Sequence, residues 1–214
     1  MSFFKINKVI KTSIYWHVAV NSAWGLLAPV FAIFLLQDIA GGNPAAAAKI
    51  AGFGTLSYWV VKSIFQIPIA VYLDENHGEI DDFWFFLVGT TMTGFIPFGF
   101  LFATQPWHIY LLEALHAVGM ALVVPSSSAI FIRHADKGRE ALESGLNSTV
   151  LGIGVGITGA VGGVLVAYVG FHAIFILTGI FTLLSAFLIY GIREDMLPKV
   201  PRKIHEFPIE KGLK

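Results

Sequence analysis

The sequence contains no cysteine and few charged residues. Without cysteine the chain cannot form a disulfide, a thiolate zinc site or a cysteine nucleophile. Charged residues make up 13% of the chain, whereas a typical soluble domain has about 25%. The net charge is zero, so the charge balance favours neither nucleic acid nor an acidic substrate as a partner.

What the chain has instead is apolar length. Six apolar stretches cover residues 14–37, 50–72, 83–104, 107–132, 147–168 and 171–192. A helix needs about 20 apolar residues to cross a bilayer core of roughly 30 Å, and each stretch is long enough. Of the 14 basic and 14 acidic residues, only Lys62 and Glu113 lie inside these stretches. We therefore predict an all-α membrane protein with six transmembrane helices over residues 1–193, and a cytoplasmic tail over residues 194–214.

The basic residues indicate the orientation of this domain. If six helices alternate in direction, almost all of the basic residues fall on one side: Lys5, Lys8, Lys11, Arg133, Lys137, Arg139, Arg193, Lys199, Arg202, Lys203, Lys211 and Lys214. Only Lys49 lies on the other side. The positive-inside rule then predicts that both termini are cytoplasmic. The first stretch is too long for a cleaved signal peptide, so we expect it to be retained as a helix of the cell (inner) membrane.

Three segments carry a resemblance to a known family. The loop after the second stretch reads AVYLDENHG over residues 70–78, with Asp74 four positions after a small residue. The fourth stretch reads EALHAVG from Glu113 and is followed by Pro125. The fifth stretch is rich in glycine and turns tightly into the sixth. In order and spacing these segments resemble one six-helix half of a major facilitator superfamily transporter, although acidic residues replace the usual basic ones near Asp74.

This resemblance implies a fold and a partner. The chain divides into two three-helix units, 1–104 and 105–192, which have opposite orientations because three is odd. Two six-helix halves enclose the central site of such transporters, so a second half is needed. It is expected to be another copy of this chain in a homodimer, or a half from another gene. A truncated, inactive remnant is a further alternative.

Three of the stretches carry polar side chains on one helical face. An ionisable group at the bilayer centre costs roughly 2.5–3.5 kcal/mol on insertion scales, so it usually faces protein or water. We predict a water-filled substrate and proton cavity lined by His17, Asn21, Trp24, Trp59, Lys62, Gln66, Glu113 and His116. Lys62 and Glu113 would form an ion pair or be satisfied alternately, which would allow proton coupling. The other interpretation is a static buried pair that fixes helix register.

Two further groups complete the predicted machinery. The resemblance implies that Asp74 closes an inner gate, with Arg133 and Arg139 as candidate partners. In the fifth stretch Gly152, Gly156, Gly159 and Gly163 lie on one helical face. Such a face lets two helices approach closely in lipid. It serves either packing within the chain or contact with a second six-helix unit.

The resulting prediction is a secondary-active transporter of a small molecule that works by alternating access. Trp24 and Trp59 with Lys62 would suit a small organic anion or an amphiphile. No histidine pair has the spacing of a metal site, and we expect no cofactor. The serines after Pro125 lack the context of an intramembrane protease, and no filter-like loop favours a channel. A membrane accessory subunit without transport activity remains the alternative.

Overall fold

The structure is a computed structural model that describes residues 6–76, 79–191 and 193–196. Its elements are α1 (Lys8–Phe34), a π-helical turn (Leu35–Ile39), α2 (Pro44–Asn76), α3 (Glu79–Phe100), α4 (Pro106–His134), α5 (Glu140–Gly191) and α6 (Arg193–Met196). No strand occurs in these residues, and the predicted all-α fold is confirmed. Five helices, α1 with its π turn and α2 to α5, are long and apolar enough to cross a membrane. Most of the predicted tail, residues 197–214, lies outside the described residues.

Local sequence explains where two of the helices begin. The Asn7 side chain accepts a hydrogen bond from the Ile10 N–H at 2.9 Å and so caps α1. Pro106 occupies the first turn of α4, where its missing N–H costs nothing. Gln105 and His108 cap the same helix reciprocally, because each side chain accepts from a backbone N–H at the other residue. The caps at the starts of α1 and α4 therefore satisfy backbone N–H groups that the first turn of a helix leaves unpaired.

The fifth helix is broken at Gly170, whose φ of 73° and ψ of 176° are not helical. Glycine adopts a positive φ at little steric cost, whereas a side chain would be strained there. The break falls where the sequence places the turn between the fifth and sixth apolar stretches. We call residues 140–169 the first arm of α5 and residues 171–191 its second arm.

The first arm runs parallel to α1. His17 Nδ1 lies 3.1 Å from Asn147 Oδ1 near the start of both helices. Further along, Gly162 lies directly against the backbone of Leu26, so close that a Cβ at this position would overlap the Leu26 carbonyl. His17 of α1 contacts Asn147, and Leu26 contacts Gly162. Because the residue numbers rise together on both helices, the two helices run in the same direction.

The second arm runs antiparallel to α1. Thr178 donates from its Oγ1 to the carbonyl of Ala23 at 3.2 Å. The rings of Phe34 and Phe171 meet edge to face, with centroids 5.7 Å apart. The residue numbers of the contacts decrease along α5 as they increase along α1. The two arms are therefore antiparallel to each other, and α5 folds back at Gly170.

The remaining helices pack around this centre. α3 lies against α4 and against the second arm of α5, and α2 lies mainly against α4. Aromatic and aliphatic side chains fill the core: Ile10, Leu35, Phe83, Phe86, Phe100, Ile109 and Phe175 are almost completely buried. Because α2 has one main neighbour, much of its apolar surface is exposed, including Ile64 and Ile67.

Candidate functional site

A cavity of about 400 Å³ opens between α1, α2 and α4. Its wall is mainly apolar and aromatic, and Thr55, Glu113 and His116 contribute polar groups. The full lining consists of Trp24, Leu27, Ala28, Phe31, Ala51, Gly54, Thr55, Tyr58, Trp59, Phe100, Ile109, Glu113 and His116. We call this space the aromatic cavity.

His116 is at the centre of the polar part of this wall. Its ring stacks on Trp24, with centroids 4.1 Å apart and planes within 5°, and it lies 5.2 Å from the ring of Tyr58. Glu113, one helical turn earlier, places Oε2 3.8 Å from His116 Nδ1. This distance is too long for a hydrogen bond. The Glu113 side chain, 17% exposed, therefore keeps acceptor capacity for a group in the cavity.

A second cavity of about 320 Å³ adjoins the first. His17 and Asn21 line it, and the two cavities share Trp24, Tyr58 and His116. These three side chains form the partition between the two spaces. Asn21 donates to the backbone carbonyl of His17 at 2.8 Å, which ties both polar residues of α1 together.

Lys62 and Gln66 line neither cavity. The Lys62 ammonium lies 4.8 Å from the centroid of the Trp59 ring and 5.4 Å from that of Tyr58. Its interactions are thus with the aromatic faces of α2. Among the described residues it forms no ion pair with Glu113, whose ionisable neighbour is His116. Gln66 is partly buried one turn further along α2.

A comparison with protein families identifies the chain. A family model of the Major Facilitator Superfamily matches residues 17–213. The chain belongs to the Major Facilitator Superfamily. No curated protein matches the sequence. Proteins of this superfamily are transporters that lie in the lipid bilayer and bind small molecules, so the chain is a membrane protein of the transporter type.

The residues predicted to form the superfamily's inner gate are not joined in this structure. Asp74 is exposed near the end of α2. Arg133 instead donates from its Nη1 to Oδ2 of Asp82, an aspartate whose side chain is fully buried at the start of α3. The expected pair of Asp74 and Arg133 is therefore replaced by a contact between α3 and α4. Arg139 lies in the loop before α5, where its N–H donates to the Asp136 carbonyl at 2.9 Å.

A polar cluster holds the α4–α5 loop of this superfamily member against the start of α1. Asn7 donates from its Nδ2 to the His134 carbonyl at 2.6 Å and to Asp136 Oδ1 at 3.2 Å. The N–H of Asp136 in turn donates to Oε2 of the buried Glu143 at 3.2 Å. The loop that carries Arg139, one of the predicted gate residues, is thus attached to both α1 and α5.

The four predicted glycines do not form the contact between α5 and α1. Within the described part of the chain, a Cβ at Gly152, Gly156 or Gly163 would meet nothing within 4 Å, whereas Gly159 lies near the edge of the α1 contact. Gly154 and Gly162 make the close approach to α1 instead. Three of the four predicted glycines thus make no close approach to another helix among the described residues. No other described helix covers the surface of these three glycines.

The predicted site residues omit Tyr58, which lines both cavities, and omit Asn147 and Asp82, which contact predicted residues. Tyr58 lies one helical turn before Lys62, so the helical periodicity that grouped Trp59, Lys62 and Gln66 on one face could also have found Tyr58. Asn147 contacts His17 from another helix, and no local pattern reveals that pairing. Asp82 lies just before an apolar stretch, a position that predicts a solvated aspartate in a loop. In the structure its side chain is 0% exposed.

Proposed function

We propose that this protein is a secondary-active carrier of a small solute that works by alternating access. The supporting observation is the aromatic cavity, in which a carboxylate and an imidazole lie on one face in the interior of a long apolar helix. Such groups are costly in lipid and usually mark a substrate or proton pathway. Glu113 and His116 are the proposed proton-coupling pair, with His17 in the adjoining cavity as a further relay.

The proposed topology has six crossings, with both termini cytoplasmic in the cell membrane. The antiparallel arms of α5 support the count, because α5 folds back at Gly170 and provides two crossings. The basic residues support the orientation, since those that the structure describes outside the apolar stretches, Lys49 excepted, fall at the end where α1 begins. Asp74, Arg133 and Arg139 are proposed to form the inner gate in another conformation of the cycle.

A second six-helix unit is proposed to complete the carrier. The aromatic cavity opens to the outside of the described part of the chain, and two surfaces of that part are exposed rather than packed against its other helices. One is the glycine surface of Gly152, Gly156 and Gly163, and the other is the exposed face of α2. Two halves related by an axis along the membrane normal would close the cavity between them. The partner is proposed to be a second copy, with another six-helix half as the alternative.

Labelling of single cysteines tests alternating access, because the chain has no native cysteine. Thr55→Cys places a thiol in the wall of the aromatic cavity. In oriented proteoliposomes, a membrane-impermeant maleimide should label it when added on either side. Thr90→Cys is the matched control, since Thr90 is buried in α3 away from the cavity and should stay unlabelled.

The same experiment separates the carrier from an accessory subunit. A carrier exposes Thr55→Cys to one side at a time, so treatment from one side should eventually protect the thiol from reagent on the other. Labelling from one side alone, however long the exposure, contradicts the carrier. That result would favour an accessory subunit without transport activity.

A further inference from the structure

The wall of the aromatic cavity contains a carboxylate but no lysine or arginine among its described residues. Glu113 faces the cavity, whereas Lys62 contacts Tyr58 and Trp59 without joining the lining. The sequence-based expectation of an anionic substrate depended on Lys62 lying in the wall. With Glu113 in that place the charge of the site has the opposite sign, which favours a cation.

The aromatic residues of the wall point to the same class of ligand. A cation over the face of an aromatic ring, within about 6 Å of its centroid, is attracted by the negative potential of that face. The structure already contains such contacts, because the Lys62 ammonium lies within 5.4 Å of the Tyr58 and Trp59 centroids. The side chains of Trp24, Phe31 and Phe100 extend the aromatic surface around the cavity.

The apolar character of the rest of the wall restricts the kind of cation. A small hydrated ion would lose its water and find few oxygen ligands here, which is unfavourable. A cation that carries apolar substituents would instead bury them against Leu27, Ile109 and the rings. The cavity volume of about 400 Å³ suits an organic molecule of modest size.

We propose that the aromatic cavity binds a lipophilic organic cation, held by the faces of Trp24, Tyr58 and Trp59 and by the Glu113 carboxylate. This inference rests on the carrier function proposed above and specifies the class of its substrate. Glu113 supplies the charge recognition, and the aromatic faces supply the contact surface.

Two probes of the same shape and opposite charge test the proposal. Tetraphenylphosphonium and tetraphenylborate differ in the sign of the central charge. Equilibrium binding of each probe to the full chain is measured in nanodiscs at pH 8. Empty nanodiscs give the partition into lipid, which is subtracted. The cation should bind saturably and on the order of tenfold or more tightly than the anion. Equal binding of both, or tighter binding of the anion, overturns the proposal.

Variants assign the binding to this cavity. Glu113→Gln should weaken binding of tetraphenylphosphonium on the order of tenfold. Asp38→Asn removes a charge from the exposed π turn, outside the cavity, and should leave the affinity unchanged. Trp59→Leu should weaken binding more than Trp59→Phe, which keeps an aromatic face. If Glu113→Gln does not fold, the Trp59 pair decides. Unchanged affinity in Glu113→Gln, or equal affinity in the two Trp59 variants, contradicts the assignment.

The outcome is separable from that of the carrier test. Binding is measured at equilibrium and needs no movement of substrate across the membrane. Failure to bind the cation, together with two-sided labelling of Thr55→Cys, would reject the substrate class and leave the carrier function intact. Cation binding with one-sided labelling would retain the site and reject the carrier.

Discussion

The first two long helices have similar lengths and very different surroundings. In the apolar part of α1, 44% of the residues are buried, whereas in α2 the figure is 6%. Both helices are long and apolar enough to cross a membrane. Apolar length therefore indicates that a helix can lie in a bilayer, but it does not indicate whether its neighbours are protein or lipid.

Small residues account for much of this difference. α1 approaches the first arm of α5 so closely that Gly25 lies against the Thr158 side chain, and Gly162 lies against the Leu26 backbone. In a membrane such contacts stabilise helix pairs through dispersion at short range. α2 has one main neighbour, and large side chains such as Ile64 and Ile67 on its surface are exposed. We infer that α1 is the fixed wall of the aromatic cavity and α2 the wall that is free to move.

The largest expected effect comes from filling the α1 contact. Gly162→Leu places a side chain where the Leu26 backbone lies, and it should lower the free energy of unfolding by about 3 kcal/mol or more. The adjacent Gly163→Leu is the matched control, because its Cβ would meet open space. It should change the stability of the monomer by about 0.5 kcal/mol or less. Thermal unfolding in detergent measures both, and equal losses would contradict the asymmetry.

Two tryptophans compare the helices directly. Trp16 in α1 is 3% exposed and packs edge to face on Phe86, with centroids 4.4 Å apart. Trp16→Ala should cost about 3 kcal/mol of unfolding free energy, as expected for a large side chain in a packed core. Trp59 in α2 is 56% exposed, so Trp59→Ala should cost less than about 1 kcal/mol. Denaturant titration followed by circular dichroism reports both values. A cost for Trp59→Ala that matches that of Trp16→Ala would show that α2 is held as firmly as α1.

Sequence patterns predicted the helices well because their cause is local. The need for about 20 apolar residues in a row is a property of each segment alone, and the turn at Gly170 falls between two such segments. The site was predicted in part for a similar reason, since helical spacing placed Glu113 and His116 on one face. Helical spacing could not show that the Lys62 ammonium contacts the rings of Tyr58 and Trp59 on its own helix and does not line the cavity.

Contacts between distant segments were harder to predict. The face with four glycines had the most regular spacing, yet Gly154 and Gly162 make the contact with α1. Glycine spacing indicates that a helical face can pack closely, but it does not indicate which helix packs against that face. The sequence alone is therefore compatible with a contact on either face. Asp82 shows the same limit, since its buried carboxylate pairs with Arg133, which lies 51 residues later in the sequence at the end of α4.

The aspartates at the two ends of the α2–α3 connection give the next comparison. Arg133→Met would leave the buried Asp82 carboxylate without its charged partner, while its Oδ1 already lacks a hydrogen bond among the described residues. We expect a loss of about 2 kcal/mol, below the range for fully buried pairs because Arg133 is partly exposed. Asp74→Asn, on the exposed end of α2, should change stability by about 0.5 kcal/mol or less. Urea unfolding measures both. Comparable effects would mean that Asp74 has a partner of similar strength.

The smallest expected effect concerns the attachment of α2 itself. Ser57 donates from its Oγ to the Tyr110 carbonyl at 3.0 Å, which links α2 to α4 beside the aromatic cavity. Ser57→Ala should cost about 0.6 kcal/mol, the average for hydrogen bonds between membrane helices. If α2 is the movable wall, this loss should also raise the rate at which maleimide labels Thr55→Cys. Thr178→Val removes the comparable bond from the second arm of α5 to Ala23 in α1 and should not change that rate. An equal change in the labelling rate for both variants would mean that the cavity opens by motion of the whole bundle rather than of α2.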